Sequence, residues 1–230
     1  MSHAFAAFPG TRAHLAELVR GLSVDHAALQ RPLRRCDLAA CGGTCCHDGV
    51  YLSPEEAGVL RELPSEDLGE LAALGWERPE RWVVYGKWRD VASGPKTATR
   101  PAPMRRIVAD FPRHFPETRC VFLLGDARCA LQVLAGRRGW HPWHLKPLTC
   151  TLHPLSIVSG PDRRPRLTLH DEGSDPQRFD DYDGFVPRTH CGRTVEGGDP
   201  AWRVLREELE AIGEIGGRDL VGEIEAWSPP

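Results

Sequence analysis

The sequence predicts an α+β fold: one small, irregular domain spanning residues 1–230, with short strands, several helices and a C-terminal helical cover. The chain has 230 residues and is 41% hydrophobic, which is enough for one sizeable core. Its 23 glycines and 20 prolines require many turns and therefore favour short elements. Eight cysteines, half of them in one short stretch, indicate that more than apolar packing holds the segments together.

Helices are expected where apolar residues recur three and four positions apart. This spacing predicts helices over residues 11–22, 54–63 and 65–74, and a helical extension over residues 199–230. The second helix opens with Ser53, Pro54 and Glu56, which are typical of an N-cap, a first-turn proline and a capping box.

Short apolar runs predict strands over residues 81–85, 120–124 and 166–170. Residues 129–134 start either a helix or a further strand, because a short apolar run fits both. A turn between Cys120 and Cys129 would bring these two thiols near each other.

Four cysteines lie within eleven residues and follow the pattern C-x4-C-x3-C-C: Cys36, Cys41, Cys45 and Cys46. An isolated buried cysteine behaves as a small hydrophobic residue and has no reason to cluster. The others are Cys120, Cys129, Cys150 and Cys191, and prolines on both sides of Cys150 give it a rigid mount. All eight are therefore candidate metal ligands, and the domain is expected to be pinned by a metal centre.

Disulfides are the alternative, and the expected compartment argues against them. Residues 1–12 lack the features of a secretory signal, and no stretch has the roughly 18 apolar residues of a membrane span. We therefore expect a cytoplasmic protein, in which cysteines more often bind metal or act as redox groups. A disulfide between the adjacent Cys45 and Cys46 would also close a small strained ring.

With the cysteines laid out, the chain resembles the family named for its CxxCxxCC motif, described as zinc- or iron-chelating domains. It is similar to the branch of unassigned function that opens with C-x4-C-x3-C-C. Three blocks carry the resemblance: residues 36–46, residues 120–131 with Cys120 and Cys129, and residues 146–154 with Cys150. The resemblance implies a family-like core over residues 36–154, joined by Cys191, that binds metal or an iron–sulfur cluster.

The best-known members of that family are similar to flagellin lysine methylases, for which iron–sulfur chemistry is implied. This chain is short and lacks a glycine-rich strand–helix signature for a nucleotide-type cofactor. Methyl transfer is therefore not carried over. At His153 the related branch usually has an aromatic residue, so this position offers an extra candidate ligand.

Two kinds of centre fit eight cysteines. A cubane [4Fe–4S] cluster and a structural zinc ion each take four ligands, so the chain could hold two sites, or one cluster with spare thiols. Ligands from distant segments, together with abundant glycine and arginine donors, favour an iron–sulfur cluster over Zn²⁺. His47 and His190 adjoin cysteines, but a histidine near a site is more often a packing residue than a ligand. Residues 140–144 are expected as an aromatic surface loop.

Charge is uneven along the chain. The net charge is −4 over residues 1–86, +10 over residues 87–166 and −9 over residues 167–230. The acidic C-terminal third offers an internal partner for the basic segment, so nucleic-acid binding is not expected. No membrane partner is expected either, and the sequence leaves a protein partner open.

Three functions remain open from the sequence. The first is a metal-binding protein that carries, senses or is stabilised by its centre. The second is an iron–sulfur-dependent enzyme that modifies a protein or a small molecule. The third is a thiol redox protein that forms a reversible disulfide from Cys45 or Cys46. No P-loop, dinucleotide motif or Ser/His/Asp order indicates a conventional active site.

Overall fold

A computed structural model describes residues 3–88, 92–107, 111, 113, 115–171, 174–175, 178–179 and 182–227. These residues form eleven α-helices and eleven short strands in five small sheets, which confirms the α+β class. The helices are α1 (Pro9–Gly21), α2 (His26–Leu29), α3 (Leu38–Cys41), α4 (Pro54–Arg61), α5 (Ser65–Ala73), α6 (Met104–Ile107), α7 (Ala130–Arg137), α8 (Leu148–Leu152), α9 (Ala201–Val204), α10 (Arg206–Gly216) and α11 (Leu220–Glu225). The strands are β1 (Ser23–Val24), β2 (Pro32–Leu33), β3 (Val83–Trp88), β4 (Ala92–Thr97), β5 (Thr99–Pro101), β6 (Thr118–Cys120), β7 (Leu155–Ser159), β8 (Pro165–Leu169), β9 (Arg178–Phe179), β10 (Tyr182–Asp183) and β11 (Asp199–Pro200).

The sheets join segments that are far apart in sequence. In the three-stranded sheet, β8 pairs with β7 antiparallel and with the N-terminal β1 in parallel. Strands β2 and β11 pair with Leu33 opposite Asp199, so the start of the C-terminal extension lies beside the segment that leads into the cysteines. Strands β3 and β4 form a hairpin, and β5 pairs with β6 with Thr99 opposite Cys120.

Apolar packing divides into two large clusters. One contains α1, α9, α10 and α11 with β7 and β8, and the C-terminal helices cover α1. The other contains α4, α5 and α7 with the residues around Trp76, Trp82 and Phe122. Cys120 is buried in the second cluster, whereas Leu152 of α8, two positions after Cys150, belongs to the first. The segments that carry Cys120 and Cys150 therefore pack into different clusters.

The capping box of α4 also fixes the position of α8. Ser53 Oγ accepts a hydrogen bond from the Glu56 amide at 3.1 Å, and the Glu56 carboxylate accepts one from the Ser53 amide at 2.8 Å. The second oxygen of Glu56 accepts a hydrogen bond from the Leu148 amide at 2.8 Å. Because a carboxylate can accept several hydrogen bonds, this buried side chain joins the start of α4 to the start of α8, which carries Cys150.

Most sequence-predicted elements are present, and one strand is shorter than expected. Strand β6 ends at Cys120, and residues 121–124 form a turn in which the Phe122 carbonyl accepts a hydrogen bond from the Ala130 amide at 2.8 Å. All four turn residues are buried, which explains why their apolar run resembles a strand. The ambiguous run after Cys129 is the helix α7.

The ion pairs correct one expectation about charge. Cations of the basic segment pair with carboxylates of the first segment: Lys96 with Asp48, Arg138 with Asp67 and Arg166 with Asp25. Glu207 and Glu208 of the acidic third pair instead with Arg35. The prediction that the C-terminal third neutralises the basic segment is therefore wrong for these pairs. Separately, none of the helices in the described ranges is long and apolar enough to cross a membrane.

Two glycines shape the cysteine-rich stretch. The Asp37 side chain caps α3, which ends at Cys41, and a 3-10 turn over Thr44–Cys46 follows. Between them, Gly42 and Gly43 have φ angles of 56° and 75°, in the left-handed region that favours glycine. A Cβ atom on Gly42 would also lie 2.6 Å from Ile107 Cγ2. The two glycines therefore turn the chain between α3 and the 3-10 turn, and this turn determines where Cys45 and Cys46 lie.

We predict that Gly42→Ala destabilises the protein by about 1–2 kcal/mol, because a left-handed backbone is costly for a residue with a Cβ. Gly58→Ala is the matched control: Gly58 lies inside α4 with nothing within 4 Å of its added Cβ. This control should be neutral or stabilising, since alanine is the better helix former. Chemical denaturation of both variants gives the comparison, and equal effects would contradict the assigned role of Gly42.

Candidate metal centre

Seven of the eight cysteines line one cavity of about 1040 Å³, which we call the cysteine cavity: Cys36, Cys45, Cys46, Cys120, Cys129, Cys150 and Cys191. They come from four separate segments of the chain. Cys41 is buried and does not line this cavity, although its thiol interacts with that of Cys36. The fold therefore gathers around a single space thiols that are up to 155 positions apart in sequence.

Cys45 and Cys46 stand side by side on the cavity wall. They belong to the 3-10 turn, in which the Cys46 amide donates to the Gly43 carbonyl at 2.8 Å. Their sulfur atoms are 4.0 Å apart. Cys45 lines the cavity, and its side chain is accessible to solvent there. Both sulfurs of this pair therefore face the same space.

Cys120 and Cys129 are brought together by the turn that separates them, as the sequence predicts. Leu123 and Cys129 form an antiparallel β-bridge, and the Leu123 amide donates a hydrogen bond to the Cys120 carbonyl at 3.0 Å. The Cys120 thiol donates to Thr97 Oγ1 at 3.4 Å, and Cys129 occupies the N-cap of α7. The charge of Cys129 adds to the burial that raises the pKa of Cys120.

Cys150 and Cys191 complete the wall from the other side. Cys150 lies within α8, which begins after Pro147 and is followed by Pro154, in agreement with the expected rigid mount. Cys191 is buried and follows the 3-10 turn Val186–Arg188. That turn is held by the side chain of Thr189, whose hydroxyl donates to the Val186 carbonyl at 2.9 Å.

Contacts between thiols and burial both favour the protonated form at several of these cysteines. Hydrogen bonding to the Cys191 thiol raises the pKa of Cys36 to about 11, and the same kind of contact with Cys36 raises the pKa of Cys41. Burial raises the pKa of Cys120 to about 11, with the charges of neighbouring thiols adding to the effect. Burial likewise raises the pKa of Cys150 well above its usual range.

Cys45 is the exception. A hydrogen bond from the Cys46 thiol lowers the pKa of Cys45 to about 6, against the effect of burial, and the charges of His153 and Lys146 act in the same direction. Cys46, which donates that hydrogen bond, has its pKa raised well above the ordinary value. One thiolate in this pair is therefore stable near neutral pH, and its neighbour keeps its proton.

Backbone amides also point at sulfur. The amides of Gly43 and Thr44 hydrogen-bond to the Cys41 sulfur, and the amide of Phe122 hydrogen-bonds to that of Cys120. Such donors favour the thiolate and are one of the means by which proteins tune iron–sulfur clusters.

The donor chemistry suits a thiophilic metal, but the thiols border a space and do not meet at one point. Among the described residues, which include all eight cysteines, no group of three His, Cys, Asp or Glu side chains could hold a metal ion in common. Tetrahedral zinc with Zn–S bonds of about 2.3 Å would place its sulfurs about 3.8 Å apart. The 4.0 Å separation of Cys45 and Cys46 is close to that value.

The three candidate histidines have different surroundings. His47 is 3% exposed and packs against Phe111 and Phe115, and it does not line the cysteine cavity. His190 does not line it either. His153 does: its Nε2 lies 3.2 Å from Thr189 Oγ1, and its Nδ1 is buried with no hydrogen-bond partner among the described residues. His153 is therefore the histidine best placed to interact with a bound group.

Sequence reasoning misses several residues of this cavity. Lys146 lines the cavity, although its place in the Lys-Pro-Leu-Thr-Cys run does not indicate a role. The carboxylates of α10, including Glu207 and Glu210, form another part of the wall. Trp143 also lines the cavity and is buried in the first apolar cluster, so the expectation of an aromatic surface loop is wrong at this position. Because the neighbouring residues are partly polar, the sequence does not reveal that this tryptophan is buried.

Comparisons with known proteins give no match: no protein-family model, no curated protein and no solved structure is similar to this chain. The resemblance to the CxxCxxCC family therefore stays a prediction that rests on the cysteine spacing.

We predict that, in metal-free protein, Cys45 is alkylated fastest of the cavity thiols at neutral pH. The thiolate is the nucleophile, and a lowered pKa of about 6 means that its reactive fraction rises with pH through that value. Iodoacetamide labelling followed by peptide mass spectrometry, over about pH 5 to about pH 9, measures this, with Cys45→Ser as the control. A Cys45 midpoint near that of an ordinary thiol, about 8.5, would contradict the assigned environment.

Proposed function

We propose that this protein binds an iron–sulfur cluster, [4Fe–4S] in type, through the thiols of the cysteine cavity, with Zn²⁺ as the alternative centre. One observation carries the proposal: four separate segments of the chain bring seven cysteine side chains to the wall of one cavity. Thiol groups that served only as apolar filler would be spread through the two apolar clusters. Here they face a common space large enough for an inorganic group.

The charge balance supports a cationic centre. Contacts with other thiols and burial raise the pKa values of Cys36, Cys120 and Cys150, so these thiols resist ionisation while no metal is bound. Metal ions bind the thiolate form, so binding releases protons and relieves the mutual repulsion of the sulfurs. Part of the binding free energy would then stabilise the fold, because the ligands come from segments that the centre would tie together.

The cluster is preferred to a single zinc ion because of the size of the space. A cubane cluster has four iron atoms at separate corners, so its four cysteine ligands surround it. The cysteines that line the cavity likewise surround a space. A zinc ion requires four sulfurs to converge on one point. The amide of Phe122 directed at the Cys120 sulfur is also of the kind that supports a cluster.

A second candidate, an iron–sulfur-dependent enzyme that modifies a protein or small molecule, is favoured by the cavity volume. About 1040 Å³ is in the upper range of ligand pockets, and its wall includes apolar residues such as Trp143 and Leu131 as well as thiols. A substrate could therefore lie beside the centre. A thiol redox role has separate support in Cys45, whose pKa of about 6 leaves a reactive thiolate at neutral pH.

The proposal includes a cytoplasmic location. All eight cysteines are free thiols, the state that a reducing compartment maintains. A metal centre built from free thiols is also most easily assembled where disulfides do not compete for them.

The direct test is anaerobic purification followed by analysis of iron, acid-labile sulfide and zinc. We expect a brown protein with visible absorption that bleaches under dithionite, and iron and sulfide in equal amounts. Colourless protein with stoichiometric zinc would replace the cluster by zinc. Protein without either metal, even after anaerobic reconstitution, would contradict the proposal. In that case a reversible disulfide at Cys45 or Cys46, detected by thiol trapping, would support the redox role.

Replacing a wall thiol should weaken retention of the centre. Changes to groups that only support metal ligands commonly cost 10–100-fold in affinity, so Cys150→Ser should cost at least about tenfold. Its melting temperature should fall with its metal content, because the two are linked. Ser159→Ala, at the exposed end of β7, is the control and should keep both. Full occupancy in the Cys150 variant would remove this residue from the ligand set.

A further inference from the structure

Four lysine and arginine side chains line the cysteine cavity, and three of them are neutralised by carboxylates. Arg35 pairs with Glu208 at 2.7 Å, Lys96 with Asp48 at 3.0 Å and Arg128 with Asp126 at 2.7 Å. The fourth is Lys146. Within the described ranges, its hydrogen-bond partner is the neutral Gln132, whose Oε1 accepts from the ammonium at 3.2 Å.

A partly buried ammonium without a carboxylate partner is costly unless another negative group lies nearby. The pKa of Lys146 is raised: burial disfavours its charged form, but the thiolate forms of Cys129, Cys150, Cys45 and Cys46 favour it more. These four come from three different segments of the cavity wall, so the ammonium lies among the proposed ligands. The hydrogen bond to Gln132 on α7 positions the ammonium, and Pro147, at the start of α8, restricts the backbone next to Lys146.

We propose that the Lys146 ammonium is the charge that compensates the thiolate-bound centre and sets its reduction potential; this inference rests on the proposed iron–sulfur function. One-electron reduction adds one electron from an external reductant and makes the cluster and its four thiolates one charge more negative. A fixed positive charge beside the sulfurs stabilises that reduced state more than the oxidised state. Lys146 acts through the sulfurs and is a positioning residue, not a ligand.

The comparison with the other three cations supports this assignment. Each of them is matched by a carboxylate, so its net field at the sulfurs is reduced by the adjacent opposite charge. Among the described residues Lys146 has no carboxylate partner, and Gln132 orients the ammonium without cancelling its charge. Substitution of Lys146 should therefore change the potential, whereas loss of a distant lysine charge should not.

The test uses anaerobically prepared full-length protein and three variants: Lys146→Met, Lys146→Arg and the control Lys87→Met, whose lysine is exposed on β3. Reductive titration with dithionite and mediators, followed by visible and electron paramagnetic resonance spectra, gives each midpoint potential. For Lys146→Met we expect the reduction equilibrium to be at least about tenfold less favourable, which corresponds to a midpoint about 59 mV lower. Lys146→Arg keeps the charge and should stay close to the wild type, as should Lys87→Met.

The outcomes separate this inference from the function it depends on. Wild-type protein without iron would overturn both. Iron-loaded Lys146→Met with an unchanged potential would overturn the role of Lys146 and leave the cluster in place. If Lys146→Met fails to keep the cluster, Lys146→Gln and Lys146→Arg are compared for iron content and circular dichroism. Loss in the neutral variants alone, with the fold retained, supports charge compensation, whereas loss in Lys146→Arg as well overturns it.

Discussion

The cost of ionising several thiols that share one cavity wall is the constraint on which this structure depends. Seven cysteines border the same space, and ionising them together would concentrate negative charge around Lys146, whose ammonium has no carboxylate partner in the part of the chain that the structure describes. A hydrogen bond to the Cys191 thiol raises the pKa of Cys36 to about 11, and burial raises the pKa of Cys120 to about 11, so both stay protonated near neutral pH. Cys45 alone is shifted the other way, by the hydrogen bond from its neighbour. A bound cationic centre would remove the repulsion that these protonated states avoid.

The contacts that assemble this wall do not involve the cysteine sulfur atoms. The Glu56 carboxylate ties the start of α4 to the start of α8 and so positions Cys150. The left-handed glycines after α3 turn the chain so that Cys45 and Cys46 face inward. Pairing of β2 with β11 brings the C-terminal helices near the segment before Cys36. Short elements held by such local contacts suit a site that draws its side chains from four segments.

The sequence predicts the local features of this fold well. The capping box at Ser53 and the helix that follows it depend on residues within one turn, and helical spacing near Leu15 is equally local. The strand expected over residues 120–124 is wrong beyond Cys120, because a fully buried turn has the same apolar pattern as a buried strand. The pairing of charges is wrong for a related reason: net charge along a sequence does not say which segments become neighbours.

For the site, cysteine spacing predicts which residues to consider but not their arrangement. That Cys45 faces the cavity while Cys41 lies behind it depends on the glycine turn and on tertiary packing. Lys146 is recognisable only once its lack of a carboxylate partner can be compared with Arg35, Lys96 and Arg128. The role of His47 is likewise decided by Phe111 and Phe115, which lie more than sixty positions away.

The central claim is that the segment carrying Cys36–Cys46 meets Cys120, Cys129 and Cys150 around one inorganic centre. Anomalous diffraction at the iron and zinc absorption edges, from crystals grown without oxygen, tests it most directly because it locates the metal. The account predicts strong iron peaks inside the cysteine cavity, within bonding distance of sulfurs from both parts of the chain. Well-ordered cavity thiols with no metal peak at either edge, or joined to one another as disulfides, would contradict it.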